Sequence, residues 1–423
     1  MAFHFSRDTK VFMKFHASAV GTDDALYEIP VLDGYSFSQA TNSSEITLNE
    51  AADSSGNSKR GRAMFNDSFA PAEWSFSTYM RPTTSAAADT WASSGHAGSA
   101  KKFAVEGPLW AAMSATTYDY GIGGDNGAIT DASWEPNVFN FQNSNKVALG
   151  VFDLYFVLGA AKDTATSLYT TGTEGVTIYK ISDCSVGSAS IDFDIEGLAQ
   201  VAWSGQGKKI KEVTQLKTTT GATSPAVAGE EYTTKGLVNE GISSTSNYIR
   251  QKLTSLAIAY DISDSTGIGS GVASDGETQM GADKTYNVVL TGGNITIENN
   301  LTYLTPETLG SVNQPLGHVM GTRSVSGNFT CYLNTAADGS ADLLEDLHEA
   351  DTMITNSFDM TFSIGGASAP KVAVAVPNCH LELPTHAVED VIGMDVNFHA
   401  LPADLSSATS SSSANEITIT YTS

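Results

Sequence analysis

Basic residues are scarce in this sequence. Its 423 residues include 22 lysines and arginines against 47 aspartates and glutamates, which gives a formal net charge of −25. A protein that grips DNA or RNA needs a basic face that displaces counterions from the phosphates. The composition therefore argues against a nucleic-acid-gripping protein. Two readings of the acidic excess remain: a surface that keeps the protein soluble, or a surface that must repel a polyanion.

Cysteines and long apolar runs are scarce as well. The three cysteines, Cys184, Cys331 and Cys379, lie far apart and form no CxxC pair. They predict no disulfide framework, which fits synthesis in a reducing cytoplasm. The N-terminal segment 1–15 lacks the apolar core of a secretory signal. No apolar run approaches the roughly 18 residues of a membrane helix, so we expect no membrane partner.

Catalytic and cofactor motifs are missing. The glycine clusters at 121–124 and 267–271 lack the dinucleotide spacing, and no P-loop lysine follows them. There is no GxSxG nucleophile motif. His380 and His386 are an even number of positions apart, so both would lie on the same face of a strand. However, no further potential metal ligand lies at a suitable spacing from them. The sequence therefore predicts no enzyme, no cofactor and no metal site.

Alternation of apolar and polar residues is the dominant pattern. A period of two predicts a half-buried strand. The stretch 190–196 has one apolar and one acidic face: Ile191, Phe193 and Ile195 against Asp192, Asp194 and Glu196. Similar patterns occur at 74–80, 285–290, 294–297 and 416–421, and the more continuously apolar run 152–158 predicts a fully buried strand.

Helical signals are few. Residues 107–113 form one short candidate, with Pro108 at a tolerated first-turn position, and residues 342–348 form another. Both are too short to be stable alone, so we expect them to lie on a sheet. The predicted fold class is mainly β.

The order of elements is repeated along the chain. In each half, strands lead to an arginine-containing turn, a further strand, a short helix, another strand, a cysteine and a final strand region. We predict two domains, 1–215 and 247–423, joined by a Gly/Ser/Thr-rich linker or surface excursion at 216–246. The alternative is that the two halves are not repeats, because any two β-rich segments can be aligned in this loose way.

Several segments resemble the tail tube (major tail) proteins of long-tailed bacteriophages. The resemblance covers most of the chain and is carried by the overall pattern. The segments are YEIPVLDGY at 27–35, the RGR turn at 60–62, YMRP at 79–82, ASIDFDIEG at 189–197 and NYIRQKLT at 247–254.

This resemblance implies β-sandwich or β-barrel tube domains, each with a short flanking helix. Such domains stand in rings, their inner sheets join into one continuous β-barrel, and the rings stack into a hollow tube that conducts genomic DNA into the host. Two such domains in one chain imply a trimeric ring with pseudo-sixfold symmetry, and a hexamer is the alternative. The implied partners are further copies and other tail proteins, in the tail of the virion. DNA would transit without specific binding.

Two groups of candidate site residues follow. Duplex DNA carries one negative charge per about 1.7 Å of its axis, so an acidic lumen would repel it and let it slide. Asp192, Asp194 and Glu196 are the candidates for such a lumen.

The second group belongs to a loop at 49–62, which ends in Lys59, Arg60 and Arg62. In tube proteins a loop at this place contributes to the stacking of rings. Its basic side chains would then meet an acidic surface of a neighbouring subunit or ring. Arg323 would be the counterpart in the second half. The alternative is an ordinary solvated hairpin loop.

Two other function classes stay open. A secreted or surface β-structural protein, such as an adhesin or a surface-layer subunit, fits the composition but is weakened by the missing signal peptide. A carbohydrate-active β-sandwich enzyme would need a concave cleft with convergent carboxylates and aromatic residues.

Overall fold

The structure is a computed structural model. It describes residues 8–16, 26–46, 54–55, 63–84, 102–115, 137–142, 149–159, 168–172, 175–218, 230–231, 237–238, 247–260, 284–349, 358–388, 391–402 and 415–423.

Strands make up most of the described chain. In the N-terminal half they are β1 Lys10–Phe15, β2 Leu26–Ile29, β3 Ser36–Ile46, β4 Ala63–Tyr79, β5 Pro82–Thr84, β6 Lys102–Ala104, β7 Val138–Gln142, β8 Phe152–Leu158, β9 Leu168–Thr170, β10 Thr177–Phe193, β11 Gln200–Gly207, β12 Lys209–Val213, β13 Gln215–Lys217, β14 Glu230–Glu231 and β15 Leu237–Val238. In the C-terminal half they are β16 Ser255–Tyr260, β17 Lys284–Val288, β18 Leu290–Glu298, β19 Leu301–Leu304, β20 Gly317–Met320, β21 Ser324–Tyr332, β22 Phe358–Ile364, β23 Lys371–Leu381, β24 Thr385–Val388, β25 Ile392–Ala400 and β26 Asn415–Thr422. The predicted mainly-β class is therefore confirmed.

Two α-helices occur in the described residues, α1 Gly107–Ser114 and α2 Ser340–Glu349. Both match the two short helices predicted from sequence. Every residue of α1 is buried, and in α2 the buried Leu343 and Leu347 lie one turn apart. Such short helices gain their stability from packing rather than from propensity. Neither helix has the length and apolar character needed to cross a membrane.

One sheet, here called the long sheet, contains strands from both halves of the chain. Its antiparallel order is β3, β4, β11, β10, β18, β21, β25 and β24, with β10 contributing its C-terminal part. Residues 379–381 at the end of β23 also pair with β25, beside β24. The two halves meet where β10 pairs with β18, with Ser188 opposite Glu298 and Phe193 opposite Gly293.

Two further sheets flank the long sheet. The first flanking sheet has the order β15, β2, β1, β8, β10 and β12, and the second has the order β17, β16, β22, β23, β26 and β7. The N-terminal part of β10 belongs to the first of these sheets, and β10 passes into the long sheet near Asp183, whose φ is 51°.

The two halves use the same pairing scheme. β1 pairs with β2 and β8, as β16 pairs with β17 and β22. β12 pairs with β10 as β26 pairs with β23. The two cysteines noted from sequence also correspond, because Cys184 lies opposite Phe152 and Cys379 lies opposite Phe358, each beside a register shift.

The core lies beneath one face of the long sheet. Trp203 on β11 has a ring centroid 4.4 Å from that of Trp110 on α1, and its Nε1 donates a 2.9 Å hydrogen bond to Oγ1 of Thr78. Phe193 stacks on Phe362 of the second flanking sheet with centroids 5.1 Å apart. The apolar members of the alternating pattern thus pack inward.

The alternation predicted for 190–196 is correct only as far as Phe193. The strand ends there, and Ile195, which was expected on the apolar face, is 52% exposed. The backbone turns instead: the Asp194 carboxylate accepts a 2.6 Å hydrogen bond from the Ile195 amide, and Gly197 has a φ of 105° that favours glycine. Local side-chain bonding of this kind competes with strand formation.

Candidate functional site

The face of the long sheet that points away from the core, here called the polar face, is the candidate functional surface. Small polar side chains cross it in rows set by the strand register. One row is mostly serine: Ser36, Ser75, Ser204, Ser188, Glu298 and Ser324. Another contains Asp192, Asn294, Asn328 and Asn397.

The long sheet contains no lysine or arginine in its eight strands, counting β10 from Ser185 onward. Its carboxylates include Glu73, Asp192, Glu298 and Asp395 on the polar face. The face therefore carries a net negative charge with no fixed cation other than a histidine when that residue is protonated.

Hydrogen bonds hold the polar side chains in place. The Asn328 side-chain amide donates to Oδ1 of Asp395 over 3.1 Å, and the Asn328 backbone amide donates to Oδ1 of Asn294 over 3.3 Å. The hydroxyls of Ser36 and Ser75 lie 2.8 Å apart. These bonds run between neighbouring strands, so the polar face is pre-organised rather than a set of free side chains.

The three acidic residues predicted for the lumen lie at one end of this face. Asp192 is exposed on β10, and Asp194 and Glu196 are exposed in the turn between β10 and β11. Gln251 braces the turn: its amide nitrogen donates 2.8 Å to the Asp192 carbonyl, and its amide oxygen accepts 3.1 Å from the Asp194 backbone.

Both edges of the long sheet are open within the described part of the chain. There β3 pairs only with β4, and β24 pairs only with β25. An open edge presents unpaired backbone donors and acceptors, which form a template for pairing with another chain.

Arg323 is buried at the junction of the two halves. Its guanidinium donates a 3.2 Å hydrogen bond to Asn299, approaches Glu416 on β26 to 3.7 Å and lies 5.3 Å from the ring centre of Phe141 on β7. Burial lowers the pKa of Arg323. The amide of Asn299 in turn donates to the carbonyls of Met113 and Val186, over 3.3 and 3.2 Å.

Lys59, Arg60 and Arg62 lie outside the described residues, in the connection between β3 and β4. The glycine clusters at 121–124 and 267–271 also lie outside them.

Sequence reasoning did not find a charged cluster on the first flanking sheet. His16 Nε2 lies 2.9 Å from Asp153, and His16 Nδ1 lies 3.4 Å from Asp183. Lys180 forms ion pairs with Asp153 at 2.6 Å and with Glu231 at 3.0 Å. No sequence signal could have found this group, because its members come from separate segments.

The same cluster has the composition of a metal-ligand group, with His16, Asp153 and Asp183 close together. However, the Asp153 carboxylate is already compensated by its ion pair with the Lys180 ammonium. The hydrogen bond to Asp153 raises the pKa of His16, and, although burial opposes it, the hydrogen bond from His16 and the charge of Lys180 lower the pKa of Asp153. The geometry therefore fits an ion-pair network that fastens β1, β8 and β10 together.

Comparison with known proteins gives the family. A family model described as phage tail tube protein matches residues 147–421. The chain is also 28% identical to tail tube protein pb6 of Escherichia phage T5 over 408 residues, which cover 96% of this chain and 74% of that protein. With its mainly-β fold, the chain thus belongs to the phage tail tube protein family and is a structural component of the phage tail.

Proposed function

We propose that copies of this chain form rings in which their long sheets join into one closed barrel around a channel for DNA. The observation that carries the proposal is the polar face: eight strands wide, free of lysine and arginine, and bounded by two open edges. Joining β3 of one copy to β24 of the next removes both edges, and barrel closure is the general way to do so.

The chemistry of the polar face suits a conduit. DNA binding is driven largely by the release of counterions from the phosphates when basic side chains of a protein contact them. A wall of serine, asparagine and carboxylate offers no such contact, so DNA slides past it without specific binding. Asp192 lines this wall, and Asp194 and Glu196 stand at its rim.

We also propose that the chain holds two tube domains, 1–215 and 247–423, with a connecting segment at 216–246. The shared pairing scheme of the two halves supports this, as does the corresponding placement of Cys184 and Cys379. Each half supplies four strands to the long sheet. Three chains would then close a pseudo-sixfold ring, and six chains would be required if the halves did not act as equivalent units.

The proposed role is assembly without catalysis or a cofactor. The partners are further copies, stacked ring on ring, and the other proteins of the tail.

Electron microscopy of the purified protein and of detached tails tests these proposals. We expect hollow rings or stacked tubes, with threefold symmetry in averages viewed down the axis. Sixfold symmetry with one chain per unit would overturn the two-domain ring. Solid fibres or rings whose channel is lined by the flanking sheets would overturn the conduit assignment.

A further inference from the structure

The pairing of β10 with β18 is a seam between the two halves of one chain, and it serves as a template for the seam between two chains. β10 supplies the last long-sheet strand of the first half, and β18 supplies the first such strand of the second half. In the proposed ring, β24 of one copy meets β3 of the next in the same relation. The long sheet is antiparallel throughout, so eight alternating strands leave β3 of the next copy antiparallel to β24.

β10 corresponds to β23 and β24 taken together. Cys184 and Cys379 occupy equivalent positions, 195 residues apart, each beside a register shift against the preceding strand of its own half. With that offset, the equivalent of Ser190 on β10 is Thr385 on β24.

A second register shift confirms this offset. The register of β10 against β11 shifts by one residue between Val186 and Ser188. The register against β25 also shifts by one residue, between Leu381 at the end of β23 and Thr385 at the start of β24. The shift thus falls at the same place in both halves, and the offset of 195 residues holds on either side of it.

The correspondence extends across the long sheet to β3 and β18. Ser190 lies opposite Ala202, and Thr385 lies opposite Asp395, so Ala202 and Asp395 are equivalent. Two residues further along these strands, one row of opposed residues crosses each half. The rows are Ser204, Ser75 and Ser36 in the first half, and Asn397, Asn328 and Asn294 in the second.

These rows fix the equivalent of each residue on β3. Ser36 corresponds to Asn294, and two residues on, Ser38 corresponds to Thr296. In the observed seam, Thr296 lies directly opposite Ser190. The equivalents of this pair in the seam between chains are Ser38 and Thr385, both of which are exposed.

We propose that Ser38 of one copy lies directly opposite Thr385 of the next, so that residues 35–38 pair with residues 385–388 in an antiparallel ladder. This inference rests on the proposed ring assembly and gives its seam a register. The occupant of the open edge of β24 is therefore a second copy of this chain, offered through the beginning of β3.

Pro384 limits the length of this seam. In the observed seam the Asn299 amide donates a 2.8 Å hydrogen bond to the Gly187 carbonyl. Hydrogen-bonded pairs recur at every second residue of an antiparallel ladder, so Ala189 also belongs to one. Its equivalent, Pro384, has no backbone N–H to donate. The seam between chains therefore begins at Thr385, and the proline blocks further pairing along this edge.

The same alternation makes the pair of Ser190 and Thr296 a pair without mutual hydrogen bonds. The Cα atoms of such a pair are about 4.5 Å apart, within the range of roughly 4.4–6.8 Å that a disulfide spans. The pair of Ser38 and Thr385 shares this geometry, so cysteines at these two positions can form a bond between chains.

Disulfide formation in assembled tubes tests the register. We expect the double variant Ser38→Cys with Thr385→Cys to form covalent trimers after mild oxidation, seen on a non-reducing gel. Ser190→Cys with Thr296→Cys is the positive control and should form the equivalent bond within one chain, identified by mass spectrometry of its peptides. The native cysteines are buried and do not compete.

The double variant Ser36→Cys with Thr385→Cys is the register control. Its cysteines would be diagonal neighbours about 7–8 Å apart, so its chains should stay separate. Cross-linking of this control in place of the Ser38→Cys variant would overturn the register.

Two other results separate this inference from the ring proposal. Intact tubes in which neither seam variant cross-links, while the positive control does, would overturn the pairing of β3 with β24 and leave the rings standing. Absence of hollow rings from the unaltered protein and from its virions would overturn the ring proposal, and the seam with it.

Discussion

The hydroxyl of Tyr421 donates a 2.5 Å hydrogen bond to the carboxylate of Glu106, although 315 positions separate the two residues in the chain. Tyr421 lies on β26, and Glu106 directly precedes α1. The Tyr421 oxygen also accepts a 2.7 Å hydrogen bond from Nε1 of Trp110. The Arg81 backbone amide, 3.2 Å away, is a further donor to Glu106. A buried polar network of this kind fixes how the two halves fit together.

The stability of the protein is expected to depend on the protonation of Glu106. Burial raises the pKa of Glu106 to about 7, against 4.5 for the ordinary side chain. The folded state therefore binds this proton more tightly than the unfolded chain does. The resulting contribution is complete below pH 4.5 and is lost as the pH rises through about 7, and it amounts to at most about 3 kcal/mol.

Glu106→Gln is the variant that isolates this effect, because glutamine keeps the shape without the titration. Denaturant unfolding at pH 5 and at pH 8 should show a smaller pH dependence for the variant than for the unaltered protein. Equal pH dependence in the two proteins would contradict the assignment of the titration to Glu106.

The buried pair of Arg323 and Glu416 gives a second prediction. Both side chains are nearly inaccessible, at 2% and 4% exposure. Removing one charge leaves the other buried and uncompensated, which typically costs about 3–5 kcal/mol. We expect Arg323→Met to lower the free energy of unfolding by about that amount. The double variant Arg323→Met with Glu416→Leu should lose less than Arg323→Met alone, and a larger loss in the double variant would refute this explanation.

A third prediction concerns the close approach of strands at Gly205. A Cβ at this position would lie 2.2 Å from the Ser185 carbonyl oxygen and 2.4 Å from the Trp74 ring. Because backbone and a packed indole must both shift, Gly205→Ala should destabilise the fold by roughly 1–3 kcal/mol or more. Gly187→Ala is the matched control, since its nearest neighbour lies 3.5 Å away. Thermal unfolding of the two variants decides the matter, and similar melting temperatures would count against the steric account.

A fourth prediction concerns the channel wall. The double variant Glu73→Lys with Asp192→Lys places two basic side chains per chain on the polar face, where they can contact DNA phosphates. Tubes should assemble normally, but DNA ejection from virions should slow, and added salt should relieve the delay because it screens these contacts. Glu212→Lys, on the exposed surface of β12 in the first flanking sheet, serves as the control. An unchanged ejection rate from well-formed tubes would show that the polar face is not the channel wall.

Much of the local structure could be predicted from the sequence. The strand at β8 and the two helices lie where the patterns placed them, because apolar runs and alternation reflect burial directly. The same reasoning failed at Ile195. The alternation of apolar and polar residues continues past the end of β10, but the Asp194 side chain and Gly197 favour a turn there. The alternation pattern carries no information about local hydrogen bonds of this kind.

Long-range relationships could not be predicted in the same way. The sequence indicated neither that β10 lies beside β18 nor that β26 lies between β23 and β7. Arg323 was singled out as a loop residue, yet its partners Asn299 and Glu416 come from different elements and bury it. Such contacts depend on how the sheets assemble, which no short pattern encodes.

The pairing of β10 with β18 has a consequence for growth of the tube. Because one covalent chain tethers these two strands together, their seam forms within a single molecule and does not depend on the protein concentration. The seam between β3 and β24 of separate chains has no such tether. Only that seam therefore depends on how much protein the infected cell has made, so a chain carrying both strands of one seam needs fewer chance encounters to complete a ring.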